Sequence, residues 1–229
     1  MAQVMPDATF DGALEAAISR WGLRLEPEQI ARLRAHFQAV VEANQRFNLT
    51  RITEPDEAAV RHYADSLALL LWCRDRGISA RSVLDIGSGA GYPAVPLAVA
   101  RPEWAVTALE STIKKARFLQ RVTGELGLIT LTVIAVHSAH WKSPAKFDLI
   151  VFRAVAPLDV CLKRAAHHAA PGGWLVAYKT ASLPADEKAA AGQVVASLKL
   201  RRAEPYGYEL SFRGEVIRHA LFPFQSARR

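Results

Sequence analysis

A short apolar segment that runs straight into a glycine-rich turn constrains the fold of this chain more than any other feature. Residues 83–86 are typical of a buried strand, and glycines follow at positions 87, 89 and 91. Glycine lets the backbone turn tightly and come close to a ligand, and the first N–H groups of a following helix point to the same place. A dinucleotide-binding fingerprint would need a third glycine five residues after the first, where this chain has Tyr92. The pattern therefore predicts a ligand site of another kind, with a merely tight turn as the alternative.

Beyond this turn, short apolar runs alternate with helical stretches. This alternation predicts an α/β fold with a mostly parallel sheet and helices on both faces. Two extended segments between residues 200 and 222 predict an antiparallel hairpin at the sheet edge. The predicted strands cover residues 82–86, 105–110, 131–136, 147–152 and 174–179, and the predicted helices cover residues 92–101, 113–127, 158–170 and 184–198.

The first third of the chain follows a different pattern. Between residues 8 and 77 the apolar residues recur at helical spacing rather than in short runs. We therefore expect a helical extension over residues 1–80 that packs on a core over residues 81–229, the two forming one compact unit. No linker or internal repeat separates them in the sequence.

Composition and charge limit the class of protein. A chain that is 51% hydrophobic is not intrinsically disordered, and no apolar run approaches the roughly 20 residues of a membrane span. Cys73 and Cys161 have no metal or redox spacing, which favours a cytoplasmic protein with free thiols. The net charge of +7 divides into −2 over residues 1–80, +3 over 81–150 and +6 over 151–229. This uneven excess predicts a polyanionic partner such as nucleic acid, and the alternative is a compositional bias with no binding role.

Two charged residues lie at the ends of predicted strands. Glu110 ends the second strand, 21 residues after Gly89, and a carboxylate there can accept both hydroxyls of a ribose. Its alternative role is a solvated residue at the start of a helix. Arg153 follows the fourth strand, at the edge of the sheet where ligands bind in open α/β folds. Its alternative role is a surface ion pair with Asp159.

Several motifs accompany the glycine turn and together carry a family resemblance. They are Asn48-Leu49-Thr50, Arg61-His62-x-x-Asp65-Ser66, Asp85-Ile86-Gly87-Ser88-Gly89-Ala90-Gly91-Tyr92-Pro93 and Lys114-Lys115-x-x-Phe118-Leu119. The glycine turn resembles the first motif of class I S-adenosylmethionine-dependent methyltransferases. Over residues 25–222 the chain resembles the bacterial small-subunit (16S) ribosomal RNA guanine-N7 methyltransferases, also called the glucose-inhibited division protein B family.

The resemblance implies a fold, a reaction and a set of site residues. The fold is a class I methyltransferase Rossmann-like, mostly parallel seven-stranded sheet, and the cofactor is S-adenosyl-L-methionine. The implied catalytic residues are Asn48 and Arg153, and the implied substrate-binding residues are Arg61, His62, Lys179 and Arg218. The implied cofactor-binding residues are Asp85, Gly87, Ser88, Gly89, Gly91, Tyr92, Glu110, Ala139, His140 and Arg153.

The chain departs from the family pattern at three places. Ala94 stands where the family usually has glycine, and Lys179-Thr180 stands where it has a Lys-Gly pair. Residues 137–141 lack the arginine and the acidic residue that the family often has there. Simpler roles are also open: Arg61 and Asp65 have the spacing of an ion pair on one helix face, and Asn48 is a common turn residue.

The implied reaction is methyl transfer to N7 of a guanine in 16S ribosomal RNA. N7 is an exposed acceptor without a proton, so the step needs positioning rather than a general base. We expect a cytoplasmic monomer that acts on 16S ribosomal RNA or the small ribosomal subunit, without a metal ion or a membrane. The rival hypotheses are a small-molecule methyltransferase and a non-catalytic RNA-binding protein on the same fold.

Overall fold

The structure, a computed structural model, describes residues 8–227 and their side chains from Phe10 onward. Its helices are α1 (Ala8–Ser19), α2 (Pro27–Asn44), α3 (Pro55–Ala58), α4 (Asp65–Asp75), α5 (Ala94–Ala100), α6 (Ile113–Glu125), α7 (Leu158–Ala165) and α8 (Ala185–Ser197). A π-helical segment (Ala59–Ala64) joins α3 to α4, and a short 3-10 turn (Ala166–His168) follows α7. The strands are β1 (Ser82–Ile86), β2 (Ala105–Glu110), β3 (Leu131–Ala135), β4 (Phe147–Arg153), β5 (Ala169–Thr180), β6 (Arg201–Arg202), β7 (Tyr206–Phe212) and β8 (Glu215–Gln225).

One mixed sheet organises the fold, in the strand order β3-β2-β1-β4-β5-β8. The first five strands are parallel and β8 is antiparallel to β5, which confirms the predicted mostly parallel sheet and its hairpin edge. The edge beyond β8 is divided between β7, which forms the hairpin, and the two-residue β6, which pairs with the end of β8. Pro205 lies between them and has no N–H to donate to a ladder, so the seventh position of the sheet holds two strands.

The predicted helix over residues 158–170 is too long. In the structure α7 ends at Ala165, and β5 already begins at Ala169. Pro171 and two glycines follow, and they are compatible with the start of a strand whose register against β4 shifts between Phe147 and Leu149. Because proline and glycine favour turns, the sequence predicts that this strand begins only at residue 174.

Successive residues of the central strands enter two separate apolar clusters. In β4, Leu149 and Val151 pack on the side of α1, α2, α4, α5 and α6, whereas Ile150 and Phe152 pack on the side of α7 and α8. This period of two is expected for strands whose two faces are both buried. The first cluster runs from Phe10 to Leu221, so α1, α2 and α4 share an apolar core with the sheet. The division of the chain at residue 80 stays a prediction, and residues 1–7 and 228–229 lie outside the described residues.

Arg61 and Asp65, the charged residues of the Arg-His-x-x-Asp motif, have different partners. Arg61 lies in the π-helical segment, and Asp65 is the first residue of α4. They do not form the ion pair that their spacing predicts. Arg61 instead pairs with Glu57 at 3.0 Å, and Asp65 turns toward the end of β4.

Candidate active site

The glycine turn follows β1 at the carboxyl edge of the parallel strands. All three of its glycines have a positive φ, +77° at Gly87, +57° at Gly89 and +110° at Gly91, a conformation that favours glycine. A Cβ at Gly87 would lie 2.7 Å from the side chain of Val155, so the neighbouring loop packs directly on the backbone there. A Cβ at Gly89 would have its nearest neighbour, the Gly87 carbonyl oxygen, 4.0 Å away. The turn is therefore closely packed at Gly87 and open at Gly89.

The end of β2 holds the glycine turn in place. The Leu109 carbonyl accepts the N–H groups of Gly87 and Ser88 at 2.8 and 3.1 Å. The Glu110 carboxylate accepts the Gly89 N–H at 2.8 Å with one oxygen and the Thr112 N–H at 2.7 Å with the other. Glu110 is buried rather than solvated. Each carboxylate oxygen keeps a second lone-pair direction, so the group can still accept hydroxyl donors.

Asp85, on β1 beneath the turn, carries an oxygen without a partner. Its Oδ2 accepts the Ala94 N–H at 3.2 Å, whereas its Oδ1 is buried and has no hydrogen bond to any described residue. Burial raises the pKa of Asp85 to about 7. An unsatisfied buried acceptor costs about 1–3 kcal/mol, so this oxygen is suited to a donor from a ligand. Ser88 is also buried, and its hydroxyl donates to the Asp85 carbonyl at 3.4 Å.

Arg153 reaches back from the end of β4 to the N-terminal helices. Its Nη2 donates to the Arg61 carbonyl at 2.6 Å and lies 3.3 Å from His62 Nδ1, and its Nε lies 2.8 Å from Asp65 Oδ2. The alternative ion pair with Asp159 is therefore wrong: Asp159 pairs with Lys163, four residues along α7. Arg153 joins the carboxyl edge of the sheet to the helical segment that carries the Arg-His-x-x-Asp motif.

His62 is neutral and its tautomer follows from its partners. Because a guanidinium only donates, Nδ1 accepts from Arg153 and the proton lies on Nε2, which donates to Thr50 Oγ1 at 2.8 Å. Burial, together with the charge of Arg153, lowers the pKa of His62 to about 4. The imidazole stacks on the Tyr92 ring with centroids 4.5 Å apart, and the Arg153 guanidinium lies 5.9 Å from the same ring. His62, Tyr92 and Arg153 thus form one contiguous group beside the glycine turn.

Sequence reasoning missed that Asp65 joins three distant elements. Besides Arg153, it accepts the Tyr208 hydroxyl and pairs with His219 Nδ1, both at 2.7 Å. Burial alone would raise the pKa of Asp65, but the guanidinium and the two hydrogen bonds hold it below its ordinary value. These partners lie on β7 and β8, more than 140 residues away in the sequence. No local pattern could indicate them.

The loop after α2 carries Asn48 but is shaped by another residue. Asn44 Oδ1 accepts the N–H groups of Leu49 and Thr50 at 2.7 and 3.0 Å, which is the turn role considered for Asn48. Asn48 is exposed, and its side chain makes no hydrogen bond within residues 10–227. Its catalytic role stays a prediction. The loop does bring Thr50 into contact with His62.

The other predicted site residues lie further out. Ala139 and His140 form an exposed turn after β3, stabilised by His137, close to the strand end where the Val136 N–H donates to the Glu110 carbonyl at 3.0 Å. The two predicted RNA-binding cations of the second half are both ion-paired within the chain. Lys179 pairs with Glu187 of α8 at 2.7 Å, and Arg218 pairs with Glu209 across the hairpin at 2.9 Å.

Residues 8–227 contain neither a membrane-spanning helix nor a cluster of metal ligands. None of the helices described is both long and apolar enough to cross a membrane. Within the same residues, no three His, Cys, Asp or Glu side chains are grouped so that they could hold a metal ion.

Comparison with known proteins identifies the family. A family model described as GidB, rRNA small subunit methyltransferase G, matches residues 29–205. A relative from Solibacter usitatus, named ribosomal RNA small subunit methyltransferase G, is 39% identical over 178 residues, which cover 77% of this chain and 83% of the relative. A relative of the same name from Lactococcus lactis is 32% identical over 201 residues, which cover 85% of this chain and 83% of the relative.

Solved structures agree on the fold. A SAM-dependent O-methyltransferase from Thermotoga maritima has a TM-score of 0.51 at 13% identity and covers 83% of this chain and 72% of its own. An N-methyltransferase from Bradyrhizobium japonicum also has a TM-score of 0.51, at 17% identity, covering 70% of this chain and 94% of its own. These likenesses confirm the predicted methyltransferase fold.

The residues present fit the cofactor of such an enzyme. Asp85 Oδ1 lacks a donor, the turn is open at Gly89, and Glu110 keeps free lone pairs beside that opening. These acceptors match the ammonium and ribose hydroxyl donors of S-adenosylmethionine. The family model and the relatives match most of the length of the chain, and the site fits the cofactor. This chain therefore belongs to the rRNA small subunit methyltransferase G family of S-adenosylmethionine-dependent methyltransferases.

Proposed function

We propose that this chain transfers a methyl group to N7 of a guanine in 16S ribosomal RNA. The observation that carries the proposal is a site with acceptors for the cofactor and, among residues 10–227, no free general base beside them other than Asp85, which is assigned to the cofactor. Asp85 and Glu110 face the glycine turn, whereas the ionisable groups next to it are already committed to one another. Such a site suits a nucleophile that has no proton to lose.

The cofactor is held by groups at the carboxyl ends of β1 and β2. Asp85 Oδ1 would accept from the ammonium group of its methionine part and Glu110 from its ribose hydroxyls, and Gly89 leaves the turn open for close approach. S-adenosylmethionine, when bound, supplies an electrophilic methyl group on a sulfonium. Tyr92 closes the turn on the side of His62. Ala139 and His140 complete the site on the side of β3.

The groups near Arg153 cannot easily take a proton. His62 Nδ1 is occupied by the Arg153 guanidinium, and its pKa of about 4 leaves it a weak base. Asp65 accepts from Arg153, Tyr208 and His219, and its pKa is below the ordinary value. An exocyclic amine or a ribose hydroxyl would have to lose a proton on methylation, whereas N7 would not. This arrangement therefore favours N7.

Electrostatics support the same target. Methylation at N7 leaves a positive charge on the guanine, which an unpaired cation nearby would oppose. The Arg153 guanidinium lies 2.8 Å from the Asp65 carboxylate, so this pair brings little net charge to the site. Arg153 therefore acts by positioning His62 and the Arg61 backbone beside the target base, and Asn48 contributes an uncommitted amide from the adjacent loop.

The partner is 16S ribosomal RNA, free or within the small ribosomal subunit. The excess of +6 over residues 151–229 supports a polyanionic partner, and Arg61, His62, Lys179 and Arg218 are the residues proposed to contact it. We propose that the chain acts as a monomer in the cytoplasm. Affinity for RNA should then fall steeply as salt concentration rises, because binding releases counterions.

The test is single-turnover methylation with radiolabelled S-adenosylmethionine between pH 6 and pH 9. Small ribosomal subunits, naked 16S ribosomal RNA and a panel of small molecules are offered, and the product nucleoside is identified by digestion and mass spectrometry. The cofactor is kept saturating at every pH, because Asp85 titrates near 7 in the free protein and is proposed to bind it. Under these conditions we expect N7-methylguanosine at a rate that shows no essential ionisation in this range. A methylated amine or ribose, or a labelled small molecule, would refute the proposal. Cofactor binding without any methylation would favour a non-catalytic RNA-binding protein.

A further inference from the structure

Three buried side chains form a continuous hydrogen-bond chain that ends on the glycine turn. The Tyr92 hydroxyl lies 3.1 Å from the Tyr63 hydroxyl, which lies 2.8 Å from His36 Nδ1. His36 Nε2 lies 2.9 Å from the carbonyl of Ala90, the residue between Gly89 and Gly91. His36 lies on α2 and Tyr63 in the π-helical segment, and both are fully buried.

The direction of each hydrogen bond is determined by its last acceptor. The Ala90 carbonyl only accepts, so His36 Nε2 carries the proton and Nδ1 is left to accept. The Tyr63 hydroxyl then donates to Nδ1, and its oxygen accepts from the Tyr92 hydroxyl. Burial lowers the pKa of His36 to about 4, so the neutral imidazole that this arrangement requires is the form present at neutral pH.

The imidazole also fills the space beside the turn. A Cβ at Gly91 would lie 3.1 Å from His36 Nε2, so the ring packs directly against that backbone. The Tyr63 ring meets the Tyr92 ring edge-on with centroids 5.2 Å apart, and Tyr92 stacks in turn on His62. The imidazole that donates to the Ala90 carbonyl is thus held on its other side by the Tyr63 hydroxyl, which in turn accepts from the Tyr92 hydroxyl.

We propose that His36 and Tyr63 are positioning residues that hold the Gly89–Gly91 turn in the shape that binds S-adenosylmethionine. Neither residue is assigned any contact with the cofactor; both act through the backbone of Ala90. The inference rests on the proposed assignment of this turn to the cofactor. It makes cofactor affinity depend on α2 and the π-helical segment, which precede the sheet in the sequence.

The first measurement is the dissociation constant of S-adenosylmethionine by calorimetry, with Tyr63→Phe, His36→Leu and His36→Gln beside the wild type. Loss of one aligned hydrogen bond predicts roughly fivefold to tenfold weaker binding for Tyr63→Phe and His36→Leu. His36→Gln keeps an N–H that can reach the Ala90 carbonyl, so it should restore most of the affinity lost in His36→Leu.

Tyr178→Phe is the matched control. Tyr178, like Tyr63, is a buried phenol that donates one hydrogen bond; its acceptor is the Ser66 carbonyl at 2.7 Å, and no hydrogen bond joins it to the turn. It should lower the melting temperature about as much as Tyr63→Phe while leaving the dissociation constant unchanged. If Tyr178→Phe weakens binding equally, or if folded Tyr63→Phe binds as tightly as the wild type, the proposal is overturned.

Amide hydrogen exchange without cofactor separates this inference from the assignment of the site. The N–H groups of Gly91 and Tyr92 donate to the Ser88 carbonyl at 2.7 and 3.0 Å, so they report on the shape of the turn. We expect them to exchange faster in Tyr63→Phe and His36→Leu than in the wild type or Tyr178→Phe. Unchanged exchange would overturn the positioning role. Faster exchange in the two variants, combined with a wild type that binds no S-adenosylmethionine at all, would instead overturn the cofactor assignment and, with it, the link to affinity.

Discussion

Replacing Asp85 with asparagine should stabilise the protein at alkaline pH while weakening cofactor binding. The carboxyl group is fully buried, and only one of its oxygens has a hydrogen-bond donor. Burial raises the pKa of Asp85 from its ordinary value of 3.8 to about 7. In the folded state the proton therefore stays on to a higher pH than in the unfolded chain. Stability is lost as pH rises through this interval, and the cost is complete above pH 7.

The size of the effect follows from the shift. A difference of roughly three pKa units corresponds to about 4 kcal/mol at pH 8, and to almost nothing near pH 4. Asparagine has nearly the same shape, keeps an amide oxygen for the Ala94 N–H and cannot ionise. Other buried groups that titrate, such as His36, are common to both proteins and cancel in the difference. The advantage of Asp85→Asn should therefore grow with pH by at most about 1.4 kcal/mol per unit.

Urea unfolding of the wild type and Asp85→Asn at pH 5, 6, 7 and 8, without cofactor, measures this difference. Asp186→Asn removes a carboxylate from the exposed first turn of α8 and serves as the control. Calorimetry should show weaker binding of S-adenosylmethionine to Asp85→Asn, because an amide N–H₂ in place of Oδ1 repels an ammonium donor. A stability difference that does not change with pH, or a wild type that is the more stable protein at pH 8, would refute the reasoning.

Three further outcomes follow from the same contacts. Gly89→Ala and Gly127→Ala both force alanine to a positive φ in open space, so chemical denaturation should show a free energy of unfolding about 1–2 kcal/mol lower for each. In calorimetry, only Gly89→Ala should bind S-adenosylmethionine more weakly. Arg153→Ala leaves the buried Asp65 charge without its guanidinium and should lower the free energy of unfolding by about 3–5 kcal/mol, whereas Arg153→Lys should lose much less; equal losses would contradict the pairing. The fold favours the neutral form of His36 and lowers its pKa to about 4. The contribution of His36 to stability is therefore complete above pH 6.5 and should be lost as pH falls toward 4. The difference in unfolding free energy between the wild type and His36→Gln should shrink over that range.

The sheet and the glycine turn could be predicted because their causes are local. A run of apolar residues followed by glycines needs no knowledge of the rest of the chain, and the alternation of strands and helices repeats every few tens of residues. The edge of the sheet was harder. The pattern predicted one strand near residue 200, but Pro205 interrupts the ladder and leaves two strands beside β8.

The polar contacts of the site could not be predicted because they join residues that are far apart in the sequence. Arg61 and Asp65 have the spacing of a helical ion pair, yet Arg61 pairs with Glu57 instead. Asp65 finds its real partners at the end of β4 and on the terminal hairpin. His36 lies within an apolar stripe and carries no pattern of its own, yet it donates to the glycine turn. A sequence indicates which residue types can form such a network, but not which of them the fold brings together.

Three cations of the second half differ in how freely they can leave their partners: Arg153 and the two predicted RNA-binding residues, Lys179 and Arg218. Arg153 and Asp65 are 17% and 2% exposed, and Lys179 and its glutamate are 19% and 17% exposed. Removing Arg153 leaves the Asp65 charge buried, at a cost of about 3–5 kcal/mol, whereas Lys179 and its glutamate are half-buried. Arg218 and its glutamate are 69% and 58% exposed, and a pair of that kind contributes about 0–1 kcal/mol. Phosphate can therefore replace the glutamate at Arg218 more readily than the carboxylates at the other two.

Arg218 should consequently contribute more to the salt dependence of RNA binding than Lys179. Each phosphate contact adds about one unit to the slope of log affinity against log salt, so Arg218→Ala should lower that slope by about one. Lys163→Ala removes a similarly exposed cation, 60% accessible and paired with Asp159 on α7, and serves as the control for charge alone. Filter binding of 16S ribosomal RNA between low and moderate salt measures the slopes. If Arg218→Ala and Lys163→Ala change the slope equally, net charge rather than the hairpin carries the interaction, and the role given to Arg218 is wrong.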